Sequence, residues 1–234
     1  MDAGATGLQA IEAGLDPDLM ARLRAVAVTP GQPLIAVDAD EVLVELSAHL
    51  RRWLPAIGYR LELTRYQLEG SIFPEGSDVP LPFDDCLVLI DRFFDSEVLH
   101  QRSLPGAPEA LGRLSNDFQV VVLTNVPDHG GELRRQNLAG LGMGYPMVVN
   151  SGGKGRALAW LAAKAQAPAV FIDDSLKQHE SAARRAPEVT RIHFVGASLL
   201  SRILPESPAV HHRVEGWEAC EVLVSSILTR ATRA

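Results

Sequence analysis

Apolar residues recur along this chain in two alternating rhythms. In residues 7 to 26, Leu8, Ile11, Leu15, Leu19 and Leu23 stand at helical spacing, which predicts one amphipathic helix. Thr29-Pro30-Gly31-Gln32-Pro33 breaks it, as Pro/Gly clusters do. The rhythm then changes to short, unbroken apolar runs: PLIAVDAD (33 to 40), QVVVLTN (119 to 125), YPMVVNS (145 to 151), PAVFIDDS (168 to 175) and TRIHFVG (190 to 196). Runs rich in β-branched residues with no polar alternation fit strands buried on both faces, as a parallel sheet requires. Helical patterns separate the later runs, over Ala107 to Ser115, Gly130 to Leu141, Lys154 to Ala165 and Leu176 to Ala186. Strand and helix in alternation predict an α/β protein with a Rossmann-like, doubly wound parallel sheet. The end of the chain, from about Arg202, reads as a loop followed by a helix from Trp217 to Thr229.

One interval breaks this order. Residues 41 to 118 separate the first two strands, far more than a single crossover helix needs. The interval contains HLRRWLPAIGY, then LTRYQLEGSIFPEGSDVPLP, then FDDCLVLIDRFFDSEVLH, a mostly helical pattern with a Pro/Gly-rich break. This predicts a core from residues 1–43 and 105–234 and a small, mostly helical cap from 44–104. An insertion just after the first strand sits over the carboxyl ends of the strands, where open α/β sheets bind ligands. Within it, Arg51, Arg52, Trp53, Arg60, Arg65 and Tyr66 are candidates for substrate contact.

Composition narrows the possibilities. Hydrophobic residues are 47% of 234, enough to bury a sizeable core. No run reaches the length of apolar sequence that a membrane span needs, and the N-terminus carries acids where a signal peptide would carry bases. The net charge is −7, and no basic face is visible for a nucleic-acid polymer. Cys86 and Cys220 lie far apart with no CxxC spacing, so free thiols in a reducing compartment are expected. A cytoplasmic protein follows as the expectation. Oligomeric state is open.

Candidate chemistry lies at the strand ends, because a parallel sheet gathers those positions into one crevice. In chain order they are Asp38 and Asp40, Thr124 and Asn125, then Asp173 and Asp174; Lys154 opens the helix after the third run. Carboxylates this close together repel unless a cation holds them, and Mg²⁺ takes hard oxygen ligands while bridging to phosphate. With Mg²⁺ present, Asp38 is placed to attack phosphorus. Asp40 is placed to protonate the leaving oxygen and later to activate water. Thr124, Asn125 and Lys154 would bind the phosphoryl oxygens. Each motif alone has a plainer meaning: Asp38 and Asp40 as an Asx-turn and helix cap, and Thr124-Asn125 as a cap. Lys154 stands at a helix N-terminus, where the dipole disfavours a cation, which points to an anionic partner. His211-His212 and His179-Glu180 lack HExxH spacing and read as loop and helix-surface residues. SGGKG is not a P-loop, because Val148 and Gly155 stand where Gly and Ser or Thr are required.

The order of these motifs resembles the haloacid dehalogenase (HAD) superfamily. DADEV (38 to 42) matches its DxDx[TV] first motif and LTN (123 to 125) its second. Lys154 in SGGKG matches the third, and Asp173-Asp174 in VFIDDS the fourth. The likeness covers residues 33 to 196, including LPGAPEALGRL (104 to 114) between cap and core. It implies Mg²⁺ held by Asp38, the Asp40 backbone carbonyl and Asp173 or Asp174, and an aspartyl-phosphate intermediate on Asp38. Dehalogenases of the superfamily lack the second acid of motif one, which Asp40 supplies here. The phosphonate-cleaving branch uses a cap lysine, and residues 44–104 contain none. A phosphatase acting on a small phosphorylated metabolite, such as a nucleotide or sugar phosphate, is therefore implied. A phosphotransferase or mutase would use the same residues, and a module binding ligand or partner without turnover is the reading from another class. The likeness departs at Glu41, where the family often has Gly.

Overall fold

The computed structural model describes residues 3–63, 69–196 and 205–233. Two helices, α1 (Ala3–Glu12) and α2 (Pro17–Ala25), precede β1 (Leu34–Val37). The single N-terminal helix expected from the apolar spacing is thus broken. Asp16 is the reason: its carboxylate accepts from Asp18 N–H and Leu19 N–H, and Pro17 takes the first helical position. That is a helix start signal, and it overrides the continuous apolar stripe.

After the insertion come α5 (Ala107–Leu114), β4 (Gln119–Thr124), α6 (Gly131–Gly140), β5 (Met147–Val149), α7 (Gly155–Ala165), β6 (Ala169–Asp173), α8 (Leu176–Arg185) and β7 (Thr190–Phe194). All five expected strands are present. A sixth, β8 (His212–Val214), lies in the stretch whose pattern predicts loop; it is three residues long, largely exposed and paired among the described residues only with β7, so it carries no buried apolar run to reveal it. Helix α9 (Trp217–Arg233) closes the chain. The six strands are parallel in the order β5-β4-β1-β6-β7-β8.

Period-two alternation splits the core in two. Ile35 and Val37 join one apolar cluster with α5, α9 and the insertion, while Leu34 and Ala36 join another with α2 and α7. Both faces of the sheet are therefore covered, which makes the fold doubly wound. The chain passes from β1 outward through β4 and β5, then returns to add β6, β7 and β8 on the other side. The reversal at β1 opens a crevice at the carboxyl ends of β4, β1 and β6.

The insertion holds α3 (Ser47–Trp53), a hairpin of β2 (Tyr59–Leu61) and β3 (Ile72–Pro74), and α4 (Phe83–Ser96). The antiparallel hairpin is an addition to the mostly helical pattern that the sequence predicts. Leu50, Leu54 and Phe93 from the insertion pack in the same cluster as the β1 and β4 side chains. Cys86 and Cys220 are buried free thiols, and among the described residues no helix is long and apolar enough to cross a membrane.

The glycines of SGGKG have a packing role. A Cβ at Gly153 or Gly155 would overlap Ser181 of α8, and Gly155 N–H donates to Ser181 Oγ at 3.0 Å. Gly155→Ala must therefore push α7 off α8. The expected loss is roughly 1–3 kcal/mol, read by urea denaturation. Gly112→Ala in α5, where a Cβ meets nothing within 4 Å, should instead add about 0.5–1 kcal/mol.

Candidate active site

The parallel register alone sets Asp38 abreast of Asp173, with Thr124 one residue further along on the other side. Val37 pairs with Val122 on one side and Ile172 on the other, so the next residue, Asp38, lies beside Asp173, and Thr124 stands at the end of β4. Asp38 N–H donates to Ile172 O at 2.9 Å, extending the ladder by one residue. The Asp38 side chain turns back, and Oδ1 accepts from Ala39 N–H at 2.7 Å.

Lys154 comes from the loop after β5. Its Nζ lies 2.7 Å from Asp38 Oδ1 and 2.7 Å from Asp173 Oδ2, and it is 1% exposed. The close approach of α7 to α8 permitted by Gly153 and Gly155 makes that reach possible. Burial alone would push the ammonium down, yet Asp173 and Asp38 on either side hold it above its ordinary value. Asp38 answers in the opposite sense. Burial pushes its carboxyl up to about 7, against the pull of Lys154, and the charges of Asp173 and Asp40 add to the rise.

Asp173 has protein donors on both oxygens, since Oδ1 also accepts from Ser175 N–H at 2.8 Å. Asp174 is raised well above the carboxylate range by burial, then by the charges of Asp38 and Glu41. Asp38, Asp173 and Asp174 bring carboxylate oxygens within 4.8 Å of one another, all buried. These three carboxylates stand against one ammonium, that of Lys154. Three hard carboxylate oxygens gathered at one buried point fit a divalent cation.

Two histidines brace this acid pair from behind. His179 Nε2 lies 2.9 Å from Asp173 O, and His193 Nε2 lies 3.0 Å from Asp174 O. A carbonyl can only accept, so Nε2 carries the proton in both rings. Burial lowers His179, and burial followed by the neighbouring His179 lowers His193 to about 4. Neutral rings are thus kept as donors. His179 is fully buried, contrary to the surface position expected for it; the sequence showed only a polar helix around it.

Asp40 is held away from this cluster. Its Oδ1 accepts from Arg134 Nη2 at 2.6 Å and from Gln101 Nε2 at 3.3 Å. Arg134 is fully buried in α6 and also donates to Asn137 Oδ1 at 3.2 Å; Asn137 Nδ2 in turn donates to Gln101 O at 3.0 Å. Sequence reasoning missed Arg134, although a signal was there. It stands three residues after Gly131 and four before Leu138, on the inward stripe of α6. Thr124 Oγ1 is buried with no hydrogen-bond partner, a hydroxyl free for a ligand oxygen. Asn125 is committed to the loop that carries Lys154: Nδ2 donates to Gly152 O at 2.7 Å and Oδ1 accepts from Asn150 at 2.9 Å.

The insertion candidates divide. Arg52 pairs with Glu45, Arg60 donates to the Pro74 and Ser77 carbonyls inside the hairpin, and Trp53 packs edge-on against Phe93. Arg51 is exposed, and Arg65 and Tyr66 lie outside the described residues.

No protein-family model matches the chain, and no curated protein matches it in sequence. Solved structures do match in fold. A HAD family hydrolase from Deinococcus radiodurans, determined with bound phosphate and sodium, is 18% identical, with TM-score 0.57 over 83% of this chain and 95% of that one. A haloacid dehalogenase-like protein of unknown function from Agrobacterium tumefaciens is 19% identical, with TM-score 0.56 over 84% and 99%. A haloacid dehalogenase-like family hydrolase from Xanthomonas campestris is 19% identical, with TM-score 0.54 over 89% and 97%. The chain has the α/β fold of the HAD superfamily.

The acid cluster sets a pH-dependent test of cation binding. Asp38 rises from 3.8 to about 7 on folding, so the cation-free fold favours its protonated form. That contribution is full below about pH 4 and is lost as pH rises through about 7. A divalent cation takes the proton's place. Adding Mg²⁺ should raise Tm clearly at pH 8 and little at pH 5, measured by scanning calorimetry; equal shifts at both pH values would exclude binding at these carboxylates.

Proposed function

We propose that the chain is a divalent-cation-dependent phosphomonoester hydrolase of the HAD superfamily, acting on a small phosphorylated metabolite through an aspartyl phosphate on Asp38. The observation that carries this reading is the Lys154 ammonium seated between Asp38 and Asp173, with the unpartnered Thr124 hydroxyl at the end of the neighbouring strand β4. A carboxylate nucleophile, a cationic holder and a free hydroxyl donor at one strand-end crevice suit a phosphoryl group, and little else needs all three. The phosphate bound in the Deinococcus radiodurans structure belongs to that protein, and it accords with this reading.

In the first step an Asp38 oxygen forms a bond to phosphorus as the bond to the leaving oxygen breaks, and Asp40 gives that oxygen a proton. Oδ1 of Asp40 is anchored by Arg134 and Gln101, so the proton passes through Oδ2. In the second step water attacks the phosphoryl group, Asp40 takes its proton, and Asp38 and inorganic phosphate are released. Lys154 and the Thr124 hydroxyl stabilise the charge on the phosphoryl oxygens through both steps. Asp38, Asp174 and the Asp40 carbonyl would hold Mg²⁺, with Asp174 favoured over Asp173 because both oxygens of Asp173 already accept from protein donors. When bound, the ion supplies charge neutralisation between the carboxylates and the incoming phosphate. Asn125 acts on the phosphate indirectly, by holding the Gly152 loop. The insertion, residues 44–104, would choose the leaving group, whether nucleotide or sugar.

Asp38→Asn keeps the shape and removes the nucleophile, so kcat on p-nitrophenyl phosphate and on a panel of phosphomonoesters should fall by at least about a thousandfold. Ca²⁺ should inhibit, because its looser coordination does not align the reacting atoms. Retention of more than about a hundredth of wild-type kcat in Asp38→Asn, or full activity in excess chelator, would overturn the proposal.

A further inference from the structure

Glu41 stands between Asp40 and the insertion. Its φ is +60°, a region disfavoured for L residues by the clash of Cβ with the following carbonyl and open to glycine at no such cost. The side chain is nevertheless buried. Its Oε1 accepts from Leu46 N–H at 3.0 Å and from Ser47 N–H. These are the opening amides of α3, and the residue in the cap position, Leu46, makes no side-chain bond of its own. A carboxylate from the loop after the nucleophile thus caps the first helix of the insertion, where the dipole favours negative charge.

The Glu41 backbone is fixed on both sides. Its N–H donates to Val44 O at 2.9 Å, and its carbonyl lies so close to Gly196 that a Cβ there would be 3.0 Å away. One residue further on, Val42 O accepts from the buried Trp217 Nε1–H at 2.7 Å. The loop is therefore rigid, and whatever it grips is rigid with respect to Asp38 and Asp40. Glycine would take the turn without strain, and a Ser or Asp at position 46 would cap α3. Glu41 bonds the two directly.

We propose that Glu41 is a positioning residue: its carboxylate couples α3 to the Asp38–Val44 loop, so that the seating of the insertion fixes the placement of Asp40. This deepens the phosphohydrolase reading and rests on it. The bonds require an acceptor at Oε1 and not a charge, which separates positioning from cation binding or proton transfer by Glu41 itself.

The test compares Glu41→Gln, which keeps the acceptor, with Glu41→Gly, which removes it and relaxes φ. Two readouts are used on the Mg²⁺-loaded full chain. In Glu41→Gly, amide exchange should speed at least about tenfold at Ser47–Leu50 and also at Glu41, Leu43 and Val44, with β1 and β4 unchanged. In the same variant kcat on p-nitrophenyl phosphate should fall at least about tenfold while KM moves less than about threefold. Glu41→Gln should stay within about threefold of wild type in every reading. Faster exchange confined to α3 with kcat unchanged would reduce Glu41 to a helix cap and overturn the coupling. Unchanged exchange in Glu41→Gly would overturn it as well, and so would a Glu41→Gln variant as impaired as Glu41→Gly. Should wild type hydrolyse no phosphate ester, the phosphohydrolase reading fails by itself. The exchange at Glu41, Leu43 and Val44 then still decides whether the loop and the insertion are coupled.

Discussion

A single ammonium group, Lys154 Nζ, holds the acid cluster of this protein together. Asp38 and Asp173 lie side by side because parallel strands put them there, and in a buried crevice two such carboxylates repel. The ammonium, 2.7 Å from each, makes the arrangement tolerable. Much of the surrounding structure serves its delivery. Lys154 stands at the N-terminus of α7, where the helix dipole opposes a cation, so acceptors must be brought to it. The glycines on either side let α7 lie against Ser181 of α8, and the Asn125–Gly152 and Asn150–Gly152 bonds hold the preceding loop.

Compensation by one lysine is incomplete. Asp38 and Asp174 stay raised, which means that ionising them is unfavourable in the protein without a cation. Perturbation of this kind is typical of sites built for a bound ion or for a reaction. The supports of the crevice are arranged to prevent relaxation. Neutral His179 and His193 hold the backbone carbonyls of the two acids from behind, and buried Arg134 holds Asp40 from α6. The groups are thereby kept in place before any ligand arrives.

The insertion meets this machinery at both of its crossings to the core. Gln101, on the return to the core, donates both to Asp40 and to Glu45 O, while Glu41 on the outgoing side caps α3. Asp40 is thus flanked by both crossings between insertion and core. The shared apolar cluster beneath makes the insertion continuous with one face of the sheet instead of a separate globule.

The order of apolar and polar residues is enough to specify the sheet, its five main strands and the residues at their ends. Unbroken β-branched runs such as PLIAV and QVVVLT have only one stable place, the middle of a parallel sheet covered on both faces. The same sheet then forces Asp38, Thr124 and Asp173 to one edge, so that part of the site was legible from pattern alone. Local signals were weaker where two of them competed: Asp16-Pro17 divided a helix that the apolar spacing joined. Other features had no local signal. The strand β8 exists only because β7 offers it an edge, and Arg134 is a site residue only because α6 packs its inward stripe beside Asp40. His179 is buried only because α8 turns that face to the sheet, and Glu41 caps a helix five residues away. Those contacts join positions far apart in sequence or conformation, and only the packed chain decides which polar side chain finds which partner.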